Sequence, residues 1–307
     1  MKVSIIGGGG RVGSDAAYAL QLGGVVREMA LVDMNGEMAA GEALDLRHGA
    51  SLTSGQTFTS SDGYSIVDGS DCVVITAGLR RRPDESRLEL VNRNVSLFKG
   101  ILDNLKGVKL NDGATIVVVS NPVDILTHLA AQAGIVPQPQ VLGLGTVLDT
   151  CRFRSLVADH FKLNATDVKA LILGEHGDSM VPILSSATIG GVPLSSIPGY
   201  DAEIQEVFEF TRKSGAEVIR LKGGAGRAVG VSIKEVVEAI ALNTEKVLPV
   251  SSWQKGTLGI SDISLSLPTK VGRKGVVEVI EPTVNEKERE GLHKSAQSLK
   301  DVLAQIS

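Results

Sequence analysis

Short, almost uninterrupted apolar runs alternate with segments of helical spacing through the first half of the chain. The runs lie at 3–6, 29–33, 72–76, 115–119 and 141–143. They read as strands, because strands buried on both faces of a parallel sheet lose the polar alternation of half-exposed ones. The intervening segments 11–23, 35–48, 88–106 and 123–133 have helical spacing and end at glycine or turn residues, which predicts helices. This alternation builds βαβ units, so a doubly wound parallel sheet is expected.

The rhythm changes after about residue 145. A helix is expected over 147–161, a strand over 168–173, and long helices over 202–221 and 232–247. Strands follow at 248–252, 263–271 and 275–280, the last two joined by a tight turn at Gly272-Arg273-Lys274-Gly275. Leu292, Ala296, Leu299 and Leu303 recur at helical spacing and predict a C-terminal amphipathic helix that closes a second core. The expected architecture is α/β, with a doubly wound domain over 1–143 followed by an α+β domain over 144–307.

At 307 residues the chain is long enough for two such cores. Lys and Arg total 31 against 35 Asp and Glu, so no global basic field exists for nucleic acid or anionic lipid. Aromatics are only 3%, which argues further against a base-stacking surface. The two cysteines, Cys72 and Cys151, exclude a four-cysteine zinc site and fit a reducing compartment. No segment reaches the ~18 apolar residues of a spanning helix and no signal region precedes the first strand, so a cytoplasmic protein without membrane or metal is expected.

Glycine is in excess, 35 residues, and its clustering is informative. The stretch Ile5-Ile6-Gly7-Gly8-Gly9-Gly10-Arg11-Val12-Gly13 leads from a strand into a helix. Residues without Cβ let helix N-terminal amides approach a pyrophosphate. Two registers fit, one through Gly8, Gly10 and Gly13 and one through Gly7, Gly10 and Gly13, and the strand end at Ile6 favours the second. Asp33 closes the next strand about 20 residues beyond Gly13, the spacing at which a carboxylate binds an adenosine ribose. A carboxylate there repels a 2′-phosphate, so NAD is expected over NADP. A solvated strand-end carboxylate or a helix N-cap is the plainer reading of Asp33.

Three further clusters can carry chemistry: Arg80 to Arg87, Asp149 with Arg152, and His176 between glycines in Gly174-Glu175-His176-Gly177-Asp178. Singly, an arginine run is a solvated loop and an Asp–Arg pair three apart is a surface ion pair. Together they supply what hydride transfer to a ketone needs. His176 is a proton donor near neutral pH, Asp149 holds the imidazolium, and arginines polarise the carbonyl and bind carboxylates.

On these residues the chain resembles the NAD-dependent lactate and malate dehydrogenases over nearly its full length. The motifs are I-I-G-x-x-G-x-V-G at 5–13, I-T-A-G at 75–78, S-R-L-x-L-V-x-R-N at 86–94, S-N-P-V-D at 120–124, G-L-G-T-x-L-D-x-x-R at 143–152 and G-E-H-G-D-S-M-V-P at 174–182. The resemblance implies a Rossmann domain before a catalytic domain, His176 as acid/base, Asp149 as its orienting carboxylate and Arg152 as the fork for the substrate's C1 carboxylate. It further implies Arg87 as the lid arginine that polarises the carbonyl, Asn121 beside nicotinamide and substrate oxygen, and a homodimer or homotetramer.

Substrate choice is expected to turn on Arg81, where similar lactate enzymes have glutamine and malate enzymes arginine. A cation there would pair with the C4 carboxylate of oxaloacetate. Ala225, where lactate enzymes tend to have threonine, agrees. Malate with oxaloacetate is therefore the expected substrate pair, with lactate as the alternative and a catalytically silent NAD-binding module as the rival of another class. The lid reads Arg-Arg-Arg-Pro-Asp where malate enzymes commonly read Pro-Arg-Lys-Pro-Gly, which places Asp84 at a glycine position.

Overall fold

The structure is a computed structural model that describes residues 1–80, 82 and 84–306. The first half runs β1 (Lys2–Ile6), α1 (Arg11–Gly23), β2 (Glu28–Val32), α2 (Gly36–Gly49), β3 (Thr57–Ser61), β4 (Cys72–Ile75), α3 (Arg87–Lys106), β5 (Thr115–Val118), α4 (Val123–Gln132) and β6 (Val141–Gly143). The second half runs α5 (Val147–His160), β7 (Val168–Leu173), β8 (Val181–Ile189), β9 (Val192–Pro193), α6 (Tyr200–Lys222), α7 (Arg227–Leu242), β10 (Lys246–Leu248), β11 (Ser251–Lys255), β12 (Ser261–Ser266), β13 (Thr269–Gly272), β14 (Gly275–Val279) and α8 (Glu286–Leu303).

The main sheet has eight strands in the order β12–β11–β6–β5–β4–β1–β2–β3. All pairings from β3 to β6 are parallel, giving a doubly wound Rossmann sheet with its switch point between β1 and β4. β4, β5 and β6 are buried at every position, as a sheet covered on both faces requires. Two antiparallel strands from the second half, β11 and β12, extend this sheet beyond β6.

Four differences from the sequence reading have local causes. β3, Thr57-Phe-Thr-Ser-Ser61, is a polar edge strand with only Phe58 buried, so its apolar signal is weak. β8 was not anticipated, because its nine residues mix Pro182 and serines into the apolar pattern. α7 stops at Leu242, since Asn243 takes a left-handed φ of 52° there, and 246–247 become strand instead of helix. The runs expected at 248–252 and 263–271 are each divided between two strands.

The C-terminal helix does not close a separate second core. Leu292, Ala296 and Leu299 of α8 lie in one apolar cluster with Val73, Ile75, Ile116 and Val118 of the parallel sheet and with Phe98 of α3. Similarly, Ile233, Val236 and Val237 of α7 pack with Val3, Ala16 and Leu20 of the first half. Among the described residues, only the cluster around Phe153, Ile172 and Phe208 is built wholly from the second half.

Candidate active site

At the carboxyl end of β1 the chain turns through Gly7, whose φ is +92°. A Cβ on Gly7 would lie 2.6 Å from the Ala77 amide nitrogen, and one on Gly13 would lie 2.2 Å from the Gly7 carbonyl oxygen. Gly10 meets a gentler limit, 3.3 Å from the same oxygen. Gly8 is also constrained, at 2.8 Å from Leu31 Cβ, so both readings of the motif contain glycines that packing requires. Gly10 is the N-cap of α1 and offers no side chain to its first amides, which therefore remain for an anion.

Asp33 follows β2 and is tied to this turn: Gly9 N–H donates to Oδ2 at 3.1 Å and Asn35 N–H to Oδ1 at 3.0 Å. The N-cap of α2 is Asn35, whose Oδ1 accepts the Met38 amide, so Asp33 is not the cap. A close-packed glycine bend, an uncapped helix start and a fixed carboxylate fit a dinucleotide.

The second group of residues assembles around the start of α5. Thr146 Oγ1 donates to the Ile172 carbonyl at 2.5 Å, and Ile172 N–H donates to Thr150 Oγ1 at 3.0 Å, which stitches the first turn of α5 to β7. Asp149 in that turn is 1% exposed and serves two partners. Its Oδ2 is 2.5 Å from His176 Nδ1, and its Oδ1 accepts Arg152 Nη1 at 3.2 Å. His176 and Arg152 remain 22% and 17% exposed, so both face an opening while their shared carboxylate is dry.

This arrangement sets the proton affinities. Burial opposes the charged form of His176, but the charge and hydrogen bond of Asp149 and the charge of Asp124 outweigh it, holding the imidazolium above the usual histidine range. Burial also opposes ionisation of Asp149, yet His176 and Arg152 hold its carboxyl below the usual range. The arrangement thus favours the imidazolium over the neutral ring.

Arg87 is the first residue of α3. It is placed there by a capping box in which Ser86 Oγ accepts the Glu89 amide and the Glu89 carboxylate accepts the Ser86 amide. Its guanidinium bonds Asp178 Oδ2 at 2.7 Å, so it already touches the loop that carries His176. Asn121 is exposed just beyond the carboxyl end of β5, where its Oδ1 accepts the Val123 amide. Arg81 lies outside the described residues, while its neighbours Arg80 and Arg82 are exposed.

The most important omission from the sequence reading is Asp124. Its fully buried carboxylate accepts the His176 backbone N–H at 2.7 Å, and burial pushes its pKa up to about 6 against the pull of the Ser251 hydroxyl and that amide. It stands in the S-N-P-V-D motif three residues after Asn121. A carboxylate at a helix start normally reads as a capping or dipole-facing group, and nothing local announces a partner in another loop.

A proton-exchanging imidazole beside an anion-binding guanidinium, near a sheet edge shaped to cradle a dinucleotide, is the equipment of an NAD-dependent dehydrogenase of 2-hydroxy acids. The chain belongs to the lactate/malate dehydrogenase family: residues 1–143 match the family's NAD binding domain and 146–307 its alpha/beta C-terminal domain. Its cofactor is NAD.

Among curated relatives, L-lactate dehydrogenase 1 of Clostridium acetobutylicum is 39% identical over 311 residues, covering 99% of this chain and 98% of that one. The L-lactate dehydrogenase of Acetivibrio thermocellus is also 39% identical, covering 98% and 96%. A ligand-bound crystal structure of a minor L-lactate dehydrogenase from Enterococcus mundtii superposes with a TM-score of 0.93 at 35% identity, covering 100% of this chain and 98% of that one.

These relatives overturn the expectation of malate and oxaloacetate as the substrate pair. That expectation rested on Arg81, one charge in a run of three arginines, with Ala225 in support. The neighbouring Arg80 and Arg82 are exposed, where a guanidinium is hydrated. Ala225 is partly buried and packs against the apolar cluster of β1, α1 and α7. Among the described residues, no helix is long and apolar enough to cross a membrane.

Proposed function

We propose that the chain is an L-lactate dehydrogenase that interconverts lactate and pyruvate. The observation that carries this reading is the His176–Asp149–Arg152 cluster, in which one buried carboxylate organises both a proton donor and a carboxylate-binding cation. The names of the relatives support a monocarboxylate substrate over a dicarboxylate.

Gly7, Gly10, Gly13 and Asp33 would hold NAD, which supplies the hydride acceptor for lactate or, reduced, the donor for pyruvate. Arg152 spends one N–H of Nη1 on Asp149 and keeps its other donors for the substrate's carboxylate, a forked contact that fixes the C2 carbon. His176 exchanges the proton of the C2 oxygen through Nε2, because Asp149 occupies Nδ1. The buried Asp149 stabilises the imidazolium present before reduction and formed after oxidation.

Arg87 leaves Asp178 as the lid closes and polarises the carbonyl, while Asn121 donates to the same oxygen. Closure excludes water and strengthens these contacts. The free thiols of buried Cys72 and exposed Cys151 support a cytoplasmic setting. Exposed apolar side chains such as Ile219 and Leu221 on α6 and Val231 on α7 support assembly as a homodimer or homotetramer.

Steady-state kinetics with pyruvate, oxaloacetate and 2-oxoisocaproate against NADH test the reading. The highest kcat/KM is expected with pyruvate. A preference for oxaloacetate would overturn the substrate, and no NADH oxidation with any 2-oxo acid would overturn the activity.

A further inference from the structure

Two polar residues of α8 are buried, Glu288 in its first turn and Ser295 beside Leu292, Ala296 and Leu299, and Ser295 is the more completely buried of the two. A buried hydroxyl is costly unless it is hydrogen-bonded, and this one has its partners in the His176 loop. Ser295 Oγ accepts the Glu175 amide at 2.7 Å and lies 3.2 Å from Ser179 Oγ. Ser179 in turn donates through its hydroxyl to Glu175 Oε2, which closes the loop on itself.

The helix also backs directly onto the loop's first residue. Gly174 has φ +86°, and a Cβ on it would sit 2.7 Å from Ser295 Oγ. Consecutive amides of the loop are thus held by buried side chains from two different helices, Glu175 by Ser295 of α8 and His176 by Asp124 of α4. Asp149 fixes the ring, whereas these two contacts fix the backbone that carries it.

We infer that Ser295 is a positioning residue for proton transfer, a peg on the C-terminal helix that holds the 174–179 loop so that the His176 imidazole meets Asp149 and substrate together. The inference rests on the reading of His176 as the proton-exchanging residue. Losing the peg leaves the Glu175 amide unpaired and lets the loop shift. Displacements of about 1 Å at a reacting group cost up to a hundredfold in rate.

Three variants test it: Ser295→Ala, Ser179→Ala from the loop side of the same contact, and Leu299→Ala as a destabilising control one turn along α8. Both serine variants are expected to lose about tenfold or more in kcat with KM for NADH unchanged. In both, the His176 titration followed by NMR in the ligand-free protein moves to lower pH, because the imidazolium sits less well on Asp149. Leu299→Ala lowers Tm and leaves kcat and the titration in place. Ser295→Thr, which keeps the hydroxyl, recovers most of the rate.

Unchanged kcat and an unchanged His176 titration in Ser295→Ala and Ser179→Ala, whatever happens to Tm, overturn the inference. Rates are referenced to the 2-oxo acid that the wild-type protein reduces fastest. A failure of the pyruvate reading then appears in the wild-type profile, and a failure of this inference in the ratio of variant to wild type.

Discussion

Asp124 Oδ2 accepts the backbone N–H of His176 at 2.7 Å, joining the first turn of α4 to a loop 52 residues later. The carboxylate does two things at once: it anchors the loop that carries His176, and its charge favours the protonated imidazole.

Asp124→Asn separates those roles, since an amide oxygen still accepts the bond but carries no charge. The pKa of His176 falls, so pyruvate reduction, which consumes the imidazolium proton, declines at lower pH than in wild type. Asp124 in the folded protein has a pKa of about 6 against an ordinary 3.8, so its ionisation costs stability as pH rises between those values. The Tm of the Asn variant, relative to wild type, therefore improves as pH rises from 3.8 to about 6 and levels off above that. Kinetic pH profiles and calorimetry at several pH values check both.

Asp149→Asn removes the acceptor that serves both His176 and Arg152. A loss of about 10²–10⁴ in kcat is expected, the range for general acid–base chemistry. The folded His176 binds its proton more tightly than the unfolded chain does, so its stabilisation is complete below the ordinary pKa of 6.5 and is lost as pH rises through the raised value. For Asp149, whose pKa is lowered, the stabilisation is present above 3.8 and lost as pH falls through the depressed value. Denaturant titrations of wild type and variant across pH expose the two limbs.

Arg152→Lys keeps the charge and loses the fork. One charge-assisted hydrogen bond is worth ~1.5–3 kcal/mol, so kcat/KM for pyruvate falls by about ten- to a hundredfold. The change falls mainly on KM for the 2-oxo acid, and NADH affinity is unaffected. Initial rates over a pyruvate series decide it.

Gly13→Ala and Gly10→Ala differ in severity. At Gly13 the new methyl would meet the Gly7 carbonyl oxygen at 2.2 Å, whereas at Gly10 it would lie 3.3 Å from it. Overpacking of the first kind costs ~1–3 kcal/mol, so Gly13→Ala loses Tm and NADH affinity together. Gly10→Ala retains the fold with a weaker loss of affinity. NADH fluorescence titration ranks them.

Arg87→Gln separates catalysis from stability. The Arg87–Asp178 pair is 72% and 77% exposed, so Tm does not move. On the proposed role of Arg87 as the carbonyl-polarising cation, kcat falls by about a hundredfold or more. Thermal melts and single-turnover rates, measured side by side, test the separation.

The candidate residues His176, Asp149, Arg152 and Arg87 stand out in the sequence because each sits where local signals are strong, whereas Asp124 does not. Ser86 with Glu89 marks the start of α3 and so places Arg87, and the glycine turn marks the mouth of the parallel sheet. Polar edge strand β3 and mixed strand β8 were not legible, since their residues lack the apolar alternation that marks a strand. The substrate was misjudged because one arginine in a loop says nothing of whether its charge is buried.

What the linear order of residues determined by itself was the βαβ rhythm, the dinucleotide turn and the inventory of a histidine, an aspartate and arginines, all set by short-range spacing and backbone sterics. Tertiary packing decided that Asp124 and Ser295 grip consecutive amides of one loop, that α8 joins the core of the parallel sheet, and that one buried carboxylate serves both His176 and Arg152. Those contacts span from three to 120 residues of chain. A buried hydrogen bond gains its strength from the dry surroundings that the whole fold creates, which no window of sequence contains.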